Sequence, residues 1–117
     1  MPNSAKLNLG KKGEQLAARY LQQKGYKILD FNYRTKFGEI DVVAKDGETI
    51  VFVEVKTRTS TRFGEPEEAV GKRKLAHIKR AAESFCIANS YNGQTRLEVV
   101  AIIKNQDSIA IRNVAVD

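Results

Sequence analysis

Two short segments of the sequence carry acidic and basic residues at a spacing that suits phosphodiester chemistry. Asp41 ends the segment GEID at residues 38–41, and Glu54 and Lys56 follow inside the apolar segment 50–56. In a β-strand, Glu54 and Lys56 would project from one face, about 7 Å apart along the strand, and the intervening valines from the other. Buried charges cost several kcal/mol unless they are paired or bind a metal. The charged side chains of such an apolar strand therefore indicate an ion pair or a bound metal ion.

These side chains have the composition of a magnesium site. Mg²⁺ prefers oxygen ligands and usually takes one or two carboxylates together with substrate oxygens. Asp41 and Glu54 could supply the carboxylates and the Val55 carbonyl a third ligand, with Lys56 facing the scissile phosphate or the attacking water. Glu14 is a further acid if its helix packs against this part of the sheet. The structural alternative is a cross-strand ion pair, worth about 0.2 to 1 kcal/mol.

The elements that must position these residues follow from periodicity and turn residues. Helical spacing of apolar residues predicts two helices, and alternating apolar residues predict five strands. The order α-β-β-β-α-β-β has a helix between the third and fourth strands, which favours a parallel pair. We therefore expect one α/β domain over residues 1–117, with a mixed sheet, helices packed on it and a flexible segment 1–9. The predicted helices span residues 9–24 and 70–89, and the strands span 26–33, 38–45, 49–57, 95–104 and 108–114.

A tight turn connects the two strands that carry the acidic residues. Asp46-Gly47 is typical of a β-hairpin turn. Pairing across that turn places Asp41 opposite a residue near 52 to 54. The sequence therefore predicts that Asp41 and Glu54 are neighbours.

Composition limits the class of protein. The 117 residues suit one domain, and 42% hydrophobic and 29% charged residues are ordinary for a globular protein. Cys86 is the single cysteine, which excludes an internal disulfide and fits a reducing cytoplasm. No secretory signal is visible, and no apolar run approaches the roughly 20 residues of a membrane span. We expect a cytoplasmic protein with no membrane partner.

The charge distribution indicates a polyanionic partner. The net charge is +6, and segment 56–80 alone carries eight basic and three acidic residues, or +5. A basic segment beside the acidic strand favours nucleic acid, most simply DNA, although a solvated helix face would also explain it. The basic residues that we expect to contact backbone phosphates are Arg34, Arg58, Arg62, Lys72, Arg73 and Lys74. For Arg34, a surface ion pair is the alternative.

The residue pattern resembles the YraN-like family of small bacterial proteins from about residue 10 to residue 100. The matching positions are Gly10, Gly13, Glu14, Asn32, Arg34, the segment 38–41, the segment 51–58, Gly64 and Lys74. That family is similar to the PD-(D/E)XK nuclease superfamily, whose members include Holliday junction resolvases and restriction endonucleases.

The resemblance implies a restriction-endonuclease-like αβββαβ core and a Mg²⁺- or Mn²⁺-dependent phosphodiesterase site. It matches Glu14 to the helical acid, Asp41 to the motif aspartate, and Glu54 and Lys56 to the E-x-K pair. Ile40 stands where the literal motif has proline.

These features predict a metal-dependent endonuclease acting on DNA, including branched DNA. A nucleic-acid-binding module that kept the fold without turnover is the second hypothesis, and a protein-interaction domain with solvating charges is the third. A homodimer is a further alternative that the sequence leaves open, as resolvase-like relatives are often dimers.

Overall fold

Helices cover both faces of one mixed β-sheet. The computed structural model describes residues 4–59 and 70–116, with side chains described from Lys12 onward. The sheet has the strand order β1-β2-β3-β4-β5 in this part of the chain. In chain order the elements are α1 (Ser4–Gln23), β1 (Lys27–Thr35), β2 (Gly38–Asp46), β3 (Thr49–Arg58), α2 (Lys72–Ala88), β4 (Thr95–Lys104) and β5 (Ile109–Val116).

Helix α1 begins earlier than predicted and ends at the predicted glycine. It starts at Ser4, where apolar periodicity alone predicted residue 9. At its other end Gly25 has φ of +96°, and the Tyr26 N–H donates to the Leu21 carbonyl at 2.9 Å. This is a Schellman motif, in which a glycine adopts the left-handed conformation without a side-chain clash. The turn directs the chain into β1 and holds the buried Leu21 against the sheet.

The β2–β3 hairpin confirms the predicted antiparallel pair. Asp46 pairs with Thr49, so the two turn residues are Gly47 and Glu48, one position later than the Asp46-Gly47 signal suggested. Gly47 has φ of +60° and Glu48 does not have a positive φ, so the turn is of type II′, which takes glycine at its first central position. The same register continues along both strands and leads to Asp41 and Glu54.

Strands β3 and β4 pair in parallel, as the crossover helix predicted. Alternation along β3 separates two cores. Val51 and Val53 pack with Ala17 and Leu21 of α1, whereas Phe52 packs on the other face against α2. Within residues 4–59 and 70–116, neither helix combines the length and apolar composition that crossing a bilayer needs.

The α2 packing surface follows the predicted stripe with one change. Ile78, Ala82 and Phe85 are buried as expected, and Ala81 joins them, but Leu75 is only partly buried. Ala81 belongs to the buried stripe because it lies three positions from Ile78 and four from Phe85. The result is the predicted restriction-endonuclease-like core, αβββαβ, extended by β5 at one edge.

Candidate metal centre

The candidate site lies where β2 separates from β3. Antiparallel pairing of the two strands ends at Val42 and Val53. Just beyond that pair, Asp41 Oδ2 accepts the backbone N–H of Val55 at 2.8 Å. A side-chain oxygen thus satisfies a donor that a continued ladder would pair with a carbonyl of β2. Because the N–H and C=O of a paired residue point the same way, the Val55 carbonyl faces the same gap.

Three carboxylates converge on this gap. One oxygen from each of Glu14, Glu39 and Asp41 lies within 4.8 Å of the others. Glu39 and Asp41 are two positions apart on β2 and share a face, whereas Glu14 comes from α1. Asn32 Nδ2 donates to Glu14 Oε1 at 3.2 Å, and Asn32 has φ of +53°, a conformation that asparagine tolerates better than most residues.

Burial and neighbouring charge alter the acidity of Asp41. Burial raises the pKa of Asp41 from 3.8 to about 7, and the negative charges of Glu54 and Glu14 act in the same direction. The N–H of Val55 opposes this rise by stabilising the carboxylate. A cation between these acids would oppose the rise in pKa, because it attracts the ionised carboxylates. A bound metal ion would therefore stabilise the ionised carboxylate of Asp41.

Glu54 is the most deeply buried acid of the group, with 5% of its surface exposed. Lys56 Nζ lies 3.4 Å and Lys74 Nζ 3.5 Å from the same oxygen, Glu54 Oε2. The other oxygen, Oε1, is buried and has no hydrogen-bond partner among the described residues. A buried carboxylate oxygen without a partner costs about 1 to 3 kcal/mol or more. Either a cation or a proton shared with the neighbouring Asp41 carboxyl group would remove this cost.

The residues present fit a divalent cation. The donors are hard carboxylate oxygens, which Mg²⁺ and Mn²⁺ prefer. Asp41 and Glu54 are the predicted ligands, and they are neighbours, because Asp41 accepts the backbone N–H of Val55, the residue that follows Glu54. Ligation by the Val55 carbonyl agrees with the orientation of that residue but stays a prediction.

Five of the six predicted phosphate contacts lie at the same end of the sheet as the acids. Lys72 and Arg73 are exposed at the start of α2, Lys74 reaches Glu54, and Arg58 is exposed at the end of β3. Arg34 pairs with Glu39 at 3.0 Å, which is the surface ion pair named as its alternative. Arg62 lies outside the described residues.

Sequence reasoning missed the placement of two residues. Glu39 joins the carboxylate cluster, and its position two residues before Asp41 on a predicted strand was the available signal. Lys74 was predicted to contact phosphate, but it also pairs with Glu54. Nothing in the local pattern indicates this pair, because Lys74 and Glu54 meet only when α2 packs on the sheet.

Comparisons with known proteins identify close relatives. A model of the "Uncharacterised protein family UPF0102" matches residues 13–102. A UPF0102 protein of Syntrophomonas wolfei is 61% identical over 74 residues, which are 63% of this chain and 64% of the relative. Relatives of the same name from Syntrophus aciditrophicus and Caldicellulosiruptor saccharolyticus are 50% and 48% identical. They align over 82% and 86% of this chain, and 76% and 86% of their own lengths. These names state no activity.

Proposed function

The chain belongs to the uncharacterised protein family UPF0102, in agreement with its YraN-like pattern, and we propose that it is a metal-dependent endonuclease acting on DNA. One observation carries the proposal. Glu54 is buried with Oε1 unpartnered among the described residues, beside Asp41, whose pKa is raised to about 7. Two adjacent acids that are costly without a cation are what a metal-dependent site requires.

The acids define the chemistry that the site could support. Asp41 and Glu54 would hold Mg²⁺ or Mn²⁺, with Glu14 and Glu39 as neighbouring acids. A divalent ion supplies charge neutralisation on the phosphate and an acidified water. The protein must supply these ligands in a fixed arrangement. The hydrogen bond from the Val55 N–H of β3 holds the Asp41 carboxylate of β2 in place.

Lys56 is the residue best placed to act on substrate. Its side chain is one-quarter exposed, and its ammonium group lies 3.4 Å from Glu54 Oε2. From there it can donate hydrogen bonds to a phosphate oxygen and orient the attacking water. Lys74 approaches the same carboxylate from α2 and is half-exposed. It can stabilise the negative charge that develops on the phosphate.

Exposed cations beside the acids support a nucleic acid as the substrate. Lys72 and Arg73 extend the positive surface from Lys74 along the first turn of α2. Cations of this kind bind backbone phosphates without reading sequence, so binding should weaken steeply as salt rises. The arrangement supports cleavage that depends on DNA structure, such as a branch, more than on base sequence.

Calorimetry of Mn²⁺ and Mg²⁺ binding tests the site directly. We expect the wild type to bind Mn²⁺, and Asp41→Asn and Glu54→Gln to lose that binding, because each change removes a charged ligand. Glu48→Gln is the matched control, since Glu48 is exposed in the hairpin turn at the other end of β2. Equal binding by all four proteins would contradict the proposal.

A binding module without turnover is the second candidate, favoured by the exposed cations alone. Lys56→Ala separates the two functions. If the protein is an endonuclease, this variant should lose most cleavage of a branched DNA while its affinity for that DNA changes less than about tenfold. If wild-type protein binds DNA but cleaves no form of it in Mg²⁺ or Mn²⁺, the binding module is correct.

A further inference from the structure

An aromatic ring flanked by two cations lies in the turn between β1 and β2. The Nζ atom of Lys36 is 5.2 Å, and the Cζ atom of Arg80 5.6 Å, from the ring centroid of Phe37. A Cβ atom at Gly38 would lie 3.7 Å from His77 Cβ, so this turn lies directly against α2. Two segments more than forty residues apart therefore combine to form one surface feature, which we call the Phe37 platform: Lys36, Phe37 and Arg80.

The Phe37 platform is electropositive. Lys36 and Arg80 are exposed, and neither forms an ion pair with a carboxylate of the described residues. Arg73, His77 and Arg80 follow one another at i, i+4 and i+7, so they line one side of α2. A positive surface that surrounds a partly exposed aromatic ring suits a ligand with both negative charge and a flat face.

The platform is close to the candidate metal centre. Lys74, which contacts Glu54, and Arg80 are six residues apart on α2, or about 9 Å along the helix. This is the length of two to three nucleotide steps of about 3.4 Å along one strand. On the sheet side, Phe37 is two positions before Glu39, a member of the carboxylate cluster.

We infer that the Phe37 platform binds an unpaired base of the substrate strand two to three nucleotides from the phosphate at the metal centre. The base stacks on the Phe37 ring while Lys36 and Arg80 contact the adjoining phosphates. Lys36 is exposed, so its side chain can leave the ring face within nanoseconds. This inference rests on the proposed function and names its substrate class: nucleic acid with a single-stranded segment beside the cleavage position.

The physical reason is that stacking needs a free base face. In the interior of a duplex each base is stacked on both sides, so a phenylalanine ring finds a partner only at a blunt end or after a base is unstacked. In a single strand every base has an accessible face, and stacking on an aromatic residue is worth enough to change affinity about fivefold to a hundredfold. The platform therefore favours flaps, junctions with open arms and single strands over blunt duplex.

Binding measured without metal tests the platform independently of cleavage. Fluorescence anisotropy in EDTA would compare a single-stranded oligonucleotide with a blunt duplex that contains the same strand. We expect Phe37→Ala and Phe37→Leu to weaken single-strand binding by about 5-fold to 100-fold and duplex binding by less than twofold. Phe37→Leu keeps an apolar side chain in the turn but has no aromatic face, and Phe37→Trp should keep the wild-type preference.

Phe31→Ala is the matched control, because Phe31 is also partly exposed and lies on the preceding strand of the same hairpin. It should leave both affinities unchanged. Equal losses on the two nucleic acids, an unaltered affinity in Phe37→Ala, or a wild type that does not bind single strands would each overturn the inference. If the single-strand preference depends on Phe37 but the protein never cleaves with Mg²⁺ or Mn²⁺, the platform stands and the endonuclease proposal fails.

Discussion

Replacing Asp41 with asparagine should make the metal-free protein more stable at alkaline pH. The pKa of Asp41 is about 7 in the folded protein, against 3.8 ordinarily, because the carboxylate is desolvated and faces Glu54 and Glu14. Between these two pH values the folded state holds a proton that the unfolded state has released. The wild type therefore loses stability as pH rises from about 4 to 7. Asparagine resembles the protonated acid at every pH and can still accept the Val55 N–H.

The size of the effect follows from the shift. The rise of the Asp41 pKa from 3.8 to about 7 sets an upper limit of about 4 kcal/mol above pH 7, at about 1.4 kcal/mol for each tenfold change in acidity. Asp41 is partly exposed, so solvent screening reduces the expected gain to about 2 kcal/mol. With a urea m-value of about 2 kcal/mol per molar, the unfolding midpoint of Asp41→Asn should rise by about 1 M at pH 8. At pH 4 the difference should nearly vanish.

Urea unfolding in EDTA at pH 4, 5, 6, 7 and 8 would measure this difference, with Glu48→Gln as the control for loss of one surface charge. Added Mn²⁺ should then stabilise the wild type and not Asp41→Asn, since ligand binding favours the state that binds. If Asp41→Asn is less stable than the wild type at pH 8 in EDTA, or if the difference does not vary with pH, the electrostatic account of Asp41 is refuted.

Two further predictions concern the scaffold. Gly13→Ala should destabilise the protein by about 1 to 2 kcal/mol in urea unfolding, because the added Cβ would lie 2.9 Å from Thr57 Oγ1. Alanine's advantage of about 1 kcal/mol inside a helix offsets only part of this cost. Arg96→Met should cost about 3 kcal/mol in urea unfolding, since Arg96 Nε donates to the buried carboxylate of Glu98 at 2.7 Å. A stable Arg96→Met protein would show that the remaining donors to Glu98 suffice.

Local sequence patterns predicted most of the fold. The β4 boundaries, residues 95–104, match the prediction, and the other elements differ mainly at their ends. Element ends depend on a few capping and pairing contacts, whereas interiors are specified by repeated apolar positions. The start of helix α1 differs most from the prediction, because its first turns contain too few apolar residues to show the helical periodicity. The parallel β3–β4 pair followed from the length of the crossover.

The sequence by itself determined that Asp41 and Glu54 lie on neighbouring strands of one hairpin, because alternating apolar residues and a glycine turn specify that hairpin. It did not determine the register, since the turn lies one position later than its signal and the ladder ends at Val42 and Val53. The tertiary structure decided which other groups reach that pair. Glu14 and Lys74 arrive on helices that pack on opposite faces of the sheet, and they meet the acids only where β2 and β3 separate. It also decided the pKa of Asp41, since burial is a property of packing and not of spacing. Short-range patterns specify local pairs, whereas long-range packing determines charge, solvent access and the assembled site.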